Sequence, residues 1–309
     1  MDFLYFLEGI RNPVLDFIMQ TVTHLGEETV FMVLGMLFLW CIDKFEGYYL
    51  LTVGFLGTQI NQLLKVTFRV DRPWVRDPNF TVMESAIPEA TGYSFPSGHT
   101  QGAVGSFGSV ARWTKRRWLF ILSIAACVLV PLSRMYLGVH TPLDVFVSVL
   151  IALALIFGIY PLVHKATQHP MGMRILLWAL LAWSIGQVCF MEFFPFPAEA
   201  NGEELFSALK NAYKMLGAVG GFVVAYELDQ RYIRYDTAGC WWVQLLKLVL
   251  GLGLSLGIKE LAYLALDFLP GELLHRMIAY FLLVIFAGAI WPLTFPFFQK
   301  LEKRKAKKQ

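Results

Sequence analysis

Long apolar runs separated by short polar breaks dominate this chain, at the length expected of membrane-crossing helices, about 17 to 25 residues each. Nine such runs are readable, around Thr29–Ile42, Tyr48–Lys65, Thr100–Arg112, Trp118–Leu132, Asp144–Val163, Ile175–Phe194, Ala212–Tyr226, Trp242–Leu266 and Met277–Phe298. The first and third are short for a span. Ahead of them, Phe3, Leu4, Phe6, Leu7 and Ile10, then Leu15, Ile18 and Met19, alternate with polar residues at roughly helical spacing. Residues 1–28 are therefore expected to form one or two amphipathic helices in the membrane interface. They show neither a basic start nor a small-residue cleavage site, so no removed leader is expected. The pattern predicts an all-α, polytopic transmembrane helix bundle.

Composition sharpens this picture. At 309 residues, 57% hydrophobic and 16% charged, the chain is far more apolar than an ordinary soluble domain. The net charge of +3 says little. Its distribution says more, because basic residues gather at Arg112, Lys115, Arg116 and Arg117, at Lys165 and Arg174, at Arg231 and Arg234, and in the tail from Lys300 to Lys308. With nine spans all four groups fall on one side, the cytoplasmic side by the positive-inside rule. Glu199, Glu203, Glu204, Asp267 and Glu272 fall on the other. Cys41, Cys127, Cys189 and Cys240 form no metal-spaced pair and are expected as free thiols.

Three polar clusters interrupt the apolar pattern. They are Lys65 with Arg72-Pro73, Pro96-Ser97-Gly98-His99, and Ser133-Arg134 with His140 and Asp144. Lys65 alone reads as a lysine snorkelling to the interface. Pro73 disfavours helix at Arg72 and is expected to fix it in a turn. Ser97 can cap the helix that follows, and Gly98 leaves room for an anion at its N-terminus. His140 and Asp144, four residues apart, can meet on one helix face. Taken alone, that pair would be a capping aspartate beside a structural histidine. Together the clusters supply three cations, two imidazoles and one carboxylate, an inventory suited to binding a phosphate and attacking it with histidine.

The order and spacing of these residues resemble the three-part signature of the type 2 phosphatidic acid phosphatase (PAP2) superfamily, over roughly Lys65 to Asp144. The resemblance implies a PAP2-like helical core over residues 29–163, further spans over 164–299 and a basic cytoplasmic tail over 300–309. By the same resemblance His140 is the nucleophile that forms a phosphohistidine, Asp144 orients it, and His99 is the general acid. Lys65, Arg72, Ser97, Gly98 and Arg134 would hold the phosphate. The implied chemistry needs no cofactor and no metal, and the sequence offers no obvious metal cluster. The nine-span layout also resembles the glucose-6-phosphatase branch.

Outside the motifs, Asp71 to Tyr93 is a long loop carrying Trp74, Phe80, Met83, Glu84 and Glu89, placed to act as a specificity element or simply to pack. Glu192, Tyr226-Glu227 and Lys259-Glu260 lie within or near later spans, where an ion-pair network or a second cavity would account for them. Lys259 and Glu260, being adjacent, are expected to point apart and find partners elsewhere. Gly217, Gly220 and Gly221, with Gly251, Gly253 and Gly257, fit close helix packing.

The expected function is hydrolysis of a lipid phosphate or diphosphate, of the undecaprenyl diphosphate, phosphatidic acid or phosphatidylglycerophosphate type, at the extracytoplasmic or lumenal face of a membrane. The alternatives are a sugar-phosphate phosphatase and a noncatalytic lipid-binding or lipid-translocating protein. The expected partners are the lipid phosphate substrate and membrane lipids. Neither a nucleic acid nor a protein partner is implied.

Overall fold

The computed structural model describes residues 1–169, 171–197, 200, 202–266 and 271–306, the side chains of 303–306 excepted. Glu199, Asp267 and tail residues 307–309 lie outside the described residues. Among the described residues the structure is helical with no strand, in two compact units.

The first unit comprises Met1–Met32, Leu50–Pro161 and Pro195–Ala208. Its helices are α1 (Asp2–Gly9), α2 (Pro13–Thr23), the start of α3 (Glu28–Leu37), most of α4 (Lys44–Phe68), the single turn α5 (Pro73–Arg76), α6 (Gly98–Trp113), α7 (Arg117–Tyr136) and α8 (Pro142–Thr167) as far as Pro161. The amphipathic start resolves into two helices, with Asn12 capping α2 ahead of Pro13 at its first turn. Leu7, with Leu15 and Met19, packs against Tyr136, Leu137 and Val139 at the end of α7. Phe6, Val14 and Phe17 remain exposed. Arg11 ties this layer down by donating to the carbonyl oxygens of Tyr136 (2.9 Å) and Thr81 (2.6 Å).

Helices in the first unit approach closely where glycine allows it. A methyl added at Gly57 of α4 would stand 2.8 Å from the Gln101 amide of α6, and one at Gly54 would overlap the Phe31 ring. The Gly57 contact brings α4 against α6, and with it the charged end of α4 near the first turn of α6, while Gly54 meets α3.

The second unit comprises Val33–Tyr49, Leu162–Phe194 and Leu209–Gln309, and contains α9 (Gly172–Phe193), most of α10 (Gly202–Leu228), α11 (Trp241–Leu266), α12 (Glu272–Ile285) and α13 (Phe295–Ala306). Trp40 is fully buried in it, donating its indole N–H to the Ala287 carbonyl at 2.9 Å. Lys247 is buried too, with its ammonium 3.2 Å from the Trp40 carbonyl and 4.5 Å from the centre of the Phe295 ring. Such a cation is tolerated because a carbonyl and an aromatic face replace water. Lys44 pairs with buried Asp229 at 2.7 Å, and Glu227 with Arg174 (2.7 Å) and Arg231 (3.2 Å), an ion-pair network as expected.

All nine expected spans fall on helices. Among the described residues five helical stretches are long and apolar enough to cross a membrane: α7, α8, α9, α11 and the run Glu272–Glu302. A sixth arises if Pro13–Gly26 and Glu28–Ile42, bent by 52°, count as one broken span. Helices α4, α6 and α10 fall outside that group because α4 carries buried Gln59, Asn61 and Lys65, α6 has 16 residues, and α10 carries charges such as Glu203, Glu204 and Lys210.

Two sequence expectations need correction. Lys259 and Glu260 pair with each other at 3.2 Å, since two long side chains with their heads in an open setting can curl together despite diverging at Cβ. Gly217, Gly221 and Gly251 do sit against neighbouring helices, but Gly253 and Gly257 face open space.

Candidate active site

The link between α7 and α8 is set by backbone chemistry. Helix α7 closes with Leu137 as C-cap and Gly138 beyond it at φ +82°, where a side chain would be strained. The Gly138 N–H donates to Met135 (3.0 Å) and the Val139 N–H to Arg134 (3.1 Å), the double bond pattern of a Schellman motif. Two residues on, Thr141 and Asp144 form a reciprocal capping box ahead of α8. Asp144 Oδ2 accepts from the Thr141 N–H at 2.7 Å and the Thr141 hydroxyl faces the Asp144 N–H at 3.3 Å, with Pro142 opening the helix. Arg134, His140 and Asp144 are thereby held at fixed separations, and all three are buried.

His140 points its two nitrogens in different directions. Nδ1 lies 3.6 Å from Asp144 Oδ2 and 3.5 Å from the Ser94 hydroxyl, while Nε2 lies 3.4 Å from an Arg72 Nη1. The Asp144 contact is an ion-pair separation rather than a hydrogen bond. Asp144 Oδ2 instead accepts from Ser94 Oγ at 2.6 Å. Asp144 thus caps a helix while facing the imidazole. Burial holds the His140 imidazole well below its ordinary range, the surrounding cations add to that, and Asp144 opposes it. His140 is neutral at neutral pH, the state a nucleophilic nitrogen needs.

Two of the three cations are strapped to the long loop. Arg72 is extended (φ −71°, ψ 156°) with Pro73 opening α5, as the sequence predicted. Its guanidinium donates to Thr91 (2.8 Å), Gly92 (3.1 Å) and Val139 (3.0 Å) carbonyls. Burial draws it down to about 10, against the pull of Glu204 and Asp144, so it stays charged at neutral pH. Lys65, in the last turn of α4, is buried and donates to the Tyr93 carbonyl.

Ser97 caps α6 as expected, accepting from the Thr100 N–H at 3.4 Å. Its own N–H donates to the Asp144 carbonyl (3.3 Å) and its carbonyl accepts from Ser148 Oγ (2.9 Å), which fastens the N-terminus of α6 to that of α8. Gly98 is exposed, with only Asn61 Oδ1 within reach of an added methyl, at 3.8 Å. His99 follows in the first turn, its Nε2 3.4 Å from Glu89 Oε2.

Several donors here are buried without a partner among the described residues. Arg134 donates Nη1 to Thr23 (2.8 Å), but its Nε–H is unmet, as are both polar atoms of the Asn61 amide and the Thr100 hydroxyl. A buried unmet donor on a guanidinium is costly, and an anion bound beside it would remove that cost. The structure therefore brings together Lys65, Arg72, Ser97, His99, Arg134, His140 and Asp144 at one end of α4, α6, α7 and α8, with Gly98 at the rim.

A family model for the PAP2 superfamily matches residues 45–168, which include every one of these positions, and one for a PAP2 superfamily phosphatase transmembrane extension matches residues 213–304. The chain is similar to undecaprenyl-diphosphatase BcrC of Bacillus subtilis, 31% identical over 152 residues that cover 48% of this chain and 74% of that protein. The chain belongs to the PAP2 superfamily. Phosphatidylglycerophosphatase B of Bacillus subtilis, another relative, is 26% identical over 163 residues, 48% of this chain and 75% of that protein. Sphingosine-1-phosphate phosphatase 1 of Rattus norvegicus is 28% identical over 164 residues, 51% of this chain but 37% of that protein. The chain thus spans well under half the length of that relative. No solved structure matches.

Beyond the PAP2 motif positions, the structure adds residues that sequence reasoning missed. Ser94 bridges toward His140 and Asp144, and Asn61 lies one turn before Lys65 on α4 facing Gly98. Ser94 is a lone serine in a loop and gives no periodic signal. Asn61 was legible as an amide within an apolar run. The sequence showed no metal-spaced group, yet folding brings His24, Glu27 and Glu89 together.

Proposed function

We propose that this chain is a membrane phosphatase that removes phosphate from a lipid phosphate or diphosphate by way of a phosphohistidine on His140. The observation that carries the reading is the aim of His140 Nε2 at the Arg72 guanidinium, 3.4 Å away, with Nδ1 turned toward Asp144. A phosphoryl group held by Arg72, Arg134 and Lys65 would meet the lone pair of Nε2. In the first step the Nε2–P bond forms and the bond from phosphorus to the departing oxygen breaks, with His99 giving that oxygen a proton. In the second, His99 takes a proton from water, the water oxygen bonds phosphorus, and the P–N bond returns its electrons to His140. Asp144 lies where it stabilises the charge that His140 carries between the steps.

A lipid substrate is supported by the names of the relatives and by exposed Phe68, Val75 and Ile87 around the same end of the first unit, where an acyl chain would lie. The extracytoplasmic face is supported by the basic Arg112–Arg117 link, which joins α6 to α7 at the end opposite His99 and Arg134.

The test is phosphate release by purified protein in detergent with EDTA present, offering undecaprenyl diphosphate, phosphatidic acid, phosphatidylglycerophosphate, sphingosine 1-phosphate and glucose 6-phosphate. Release from a lipid that His140→Ala abolishes, without loss of thermal stability, is the expected result. Release from glucose 6-phosphate alone would refute the lipid reading, and undiminished release by His140→Ala would refute the mechanism.

A further inference from the structure

We propose that His24, Glu27 and Glu89 form a binding site for a divalent transition-metal ion of the zinc class, and that occupancy of this site inhibits the reaction at the neighbouring His99. The inhibitory half rests on the phosphatase reading above; the binding half does not.

The site is assembled by folding rather than by sequence proximity. His24 and Glu27 come from the turn between α2 and α3, and Glu89 from the long loop, yet one ligand atom from each lies within 4.8 Å of the others. His24 Nδ1 is hydrogen-bonded to Glu27 Oε1 and stands 3.8 Å from Glu89 Oε1. An ion with tetrahedral ligands at about 2.0–2.2 Å sets those ligands roughly 3.3–3.6 Å apart, so closure asks for shifts of up to about 1.5 Å. One imidazole with two carboxylates suits zinc or manganese better than magnesium or calcium, which favour all-oxygen shells. The three side chains are partly exposed, which leaves coordination positions for water and a path for the ion.

A second observation connects the cluster to the chemistry. The His24 turn is pressed against the start of α6 through glycine: a methyl on Gly26 would stand 2.7 Å from the His99 carbonyl oxygen, and one on Gly102 would stand 2.9 Å from the Gly26 carbonyl oxygen. Glu89 consequently lies between the two groups, with Oε1 toward His24 and Oε2 3.4 Å from His99 Nε2. That Nε2 is buried and has no hydrogen bond among the described residues. A metal that takes Glu89 removes the negative neighbour of His99. His99 Nε2 then loses the carboxylate that faces it at 3.4 Å, the contact that steadies the imidazole is gone, and proton transfer to the departing oxygen slows.

The experiment uses the full-length protein in detergent, stripped with EDTA and then freed of it. Co2+ is titrated first, with no substrate present. The expected result is one equivalent producing visible absorption bands of a low-coordinate site, which an equivalent of Zn2+ abolishes. His24→Ala and Glu27→Gln should each remove the bands. The second arm measures phosphate release against Zn2+ concentration. Zn2+ should inhibit the wild type, and each variant should raise the half-inhibitory concentration about tenfold or more while releasing phosphate at the wild-type rate in EDTA. Absence of Co2+ bands in the wild type, or equal Zn2+ affinity in wild type and both variants, overturns the site. Binding that leaves the rate unchanged overturns the link to His99. Failure of every phosphate ester to react would leave the Co2+ arm intact and fall on the phosphatase reading alone.

Discussion

Replacing Asp144 by asparagine separates the helix cap this residue makes from the electrostatic role proposed for it. The asparagine carbonyl oxygen can still accept from the Ser94 hydroxyl and the Thr141 N–H, which now lie 2.6 and 2.7 Å from Oδ2, so the cap on α8 survives. What disappears is a negative charge 3.6 Å from His140 Nδ1. In an effective dielectric near 20, a charge pair at that separation is worth roughly 4 to 5 kcal/mol. If it is realised fully when the imidazole becomes a cationic phosphohistidine, the rate falls by about three orders of magnitude. Thr141→Val provides the converse change. It removes the hydroxyl that faces the Asp144 N–H and should cost about 1 kcal/mol of stability while changing the rate only a few-fold. The assay is single-turnover phosphate release beside thermal unfolding, both in one detergent. An Asp144→Asn enzyme within tenfold of wild type would refute the electrostatic role, and a Thr141→Val enzyme as slow as Asp144→Asn would show that the cap is what matters.

Three further outcomes follow from the same geometry. Arg134→Lys keeps the charge but cannot offer both the bond to Thr23 and the free Nε–H, so kcat/KM for phosphate release should fall by about 10- to 100-fold; a ratio near one would remove Arg134 from the site. Gly138→Ala forces a side chain at φ +82° and sets a methyl 2.8 Å from the Phe80 ring, which should cost about 1 to 3 kcal/mol in unfolding; an unchanged melting temperature would contradict the turn described. Because burial lowers the His140 pKa, an alkaline denaturing quench, which preserves the P–N bond, should still trap phosphoenzyme from reactions run below about pH 6.5, the point at which a free imidazole is half protonated. The sign for stability is the same: the unfolded chain takes up the proton first, so this contribution is complete above about pH 6.5 and is lost as pH falls toward the folded value.

Much of the site was legible because it is made of polar residues where the apolar pattern forbids them. Lys65, Arg134 and Asp144 stand out against their runs, and Pro73 and Pro142 announce the turns that aim Arg72 and His140. What the sequence could not show is contact between distant segments. Glu89 read as a loop glutamate, His24 and Glu27 as part of an interfacial segment, and Ser94 as an unremarkable serine, because none of them belongs to a periodic face. Lys259 and Glu260 were misread for a related reason: Cβ directions describe a helix surface, while two long side chains choose their own ends. The spans were legible as helices, but polar α4 and short α6 show that a helix committed to a buried site need not look like one facing lipid.

Lys65 and Arg72 make four bonds to the carbonyls of Thr91, Gly92 and Tyr93. A phosphate bound as proposed would compete with those carbonyls for the same N–H groups, so filling the site and holding the loop are opposing draws on one set of donors. On that proposal the loop would serve as a built-in surrogate anion, keeping the cations solvated in the empty enzyme and yielding them on occupancy. Protease nicking between residues 87 and 93 should then quicken when inorganic phosphate saturates the protein, the reverse of the protection that a ligand gives to a closing flap.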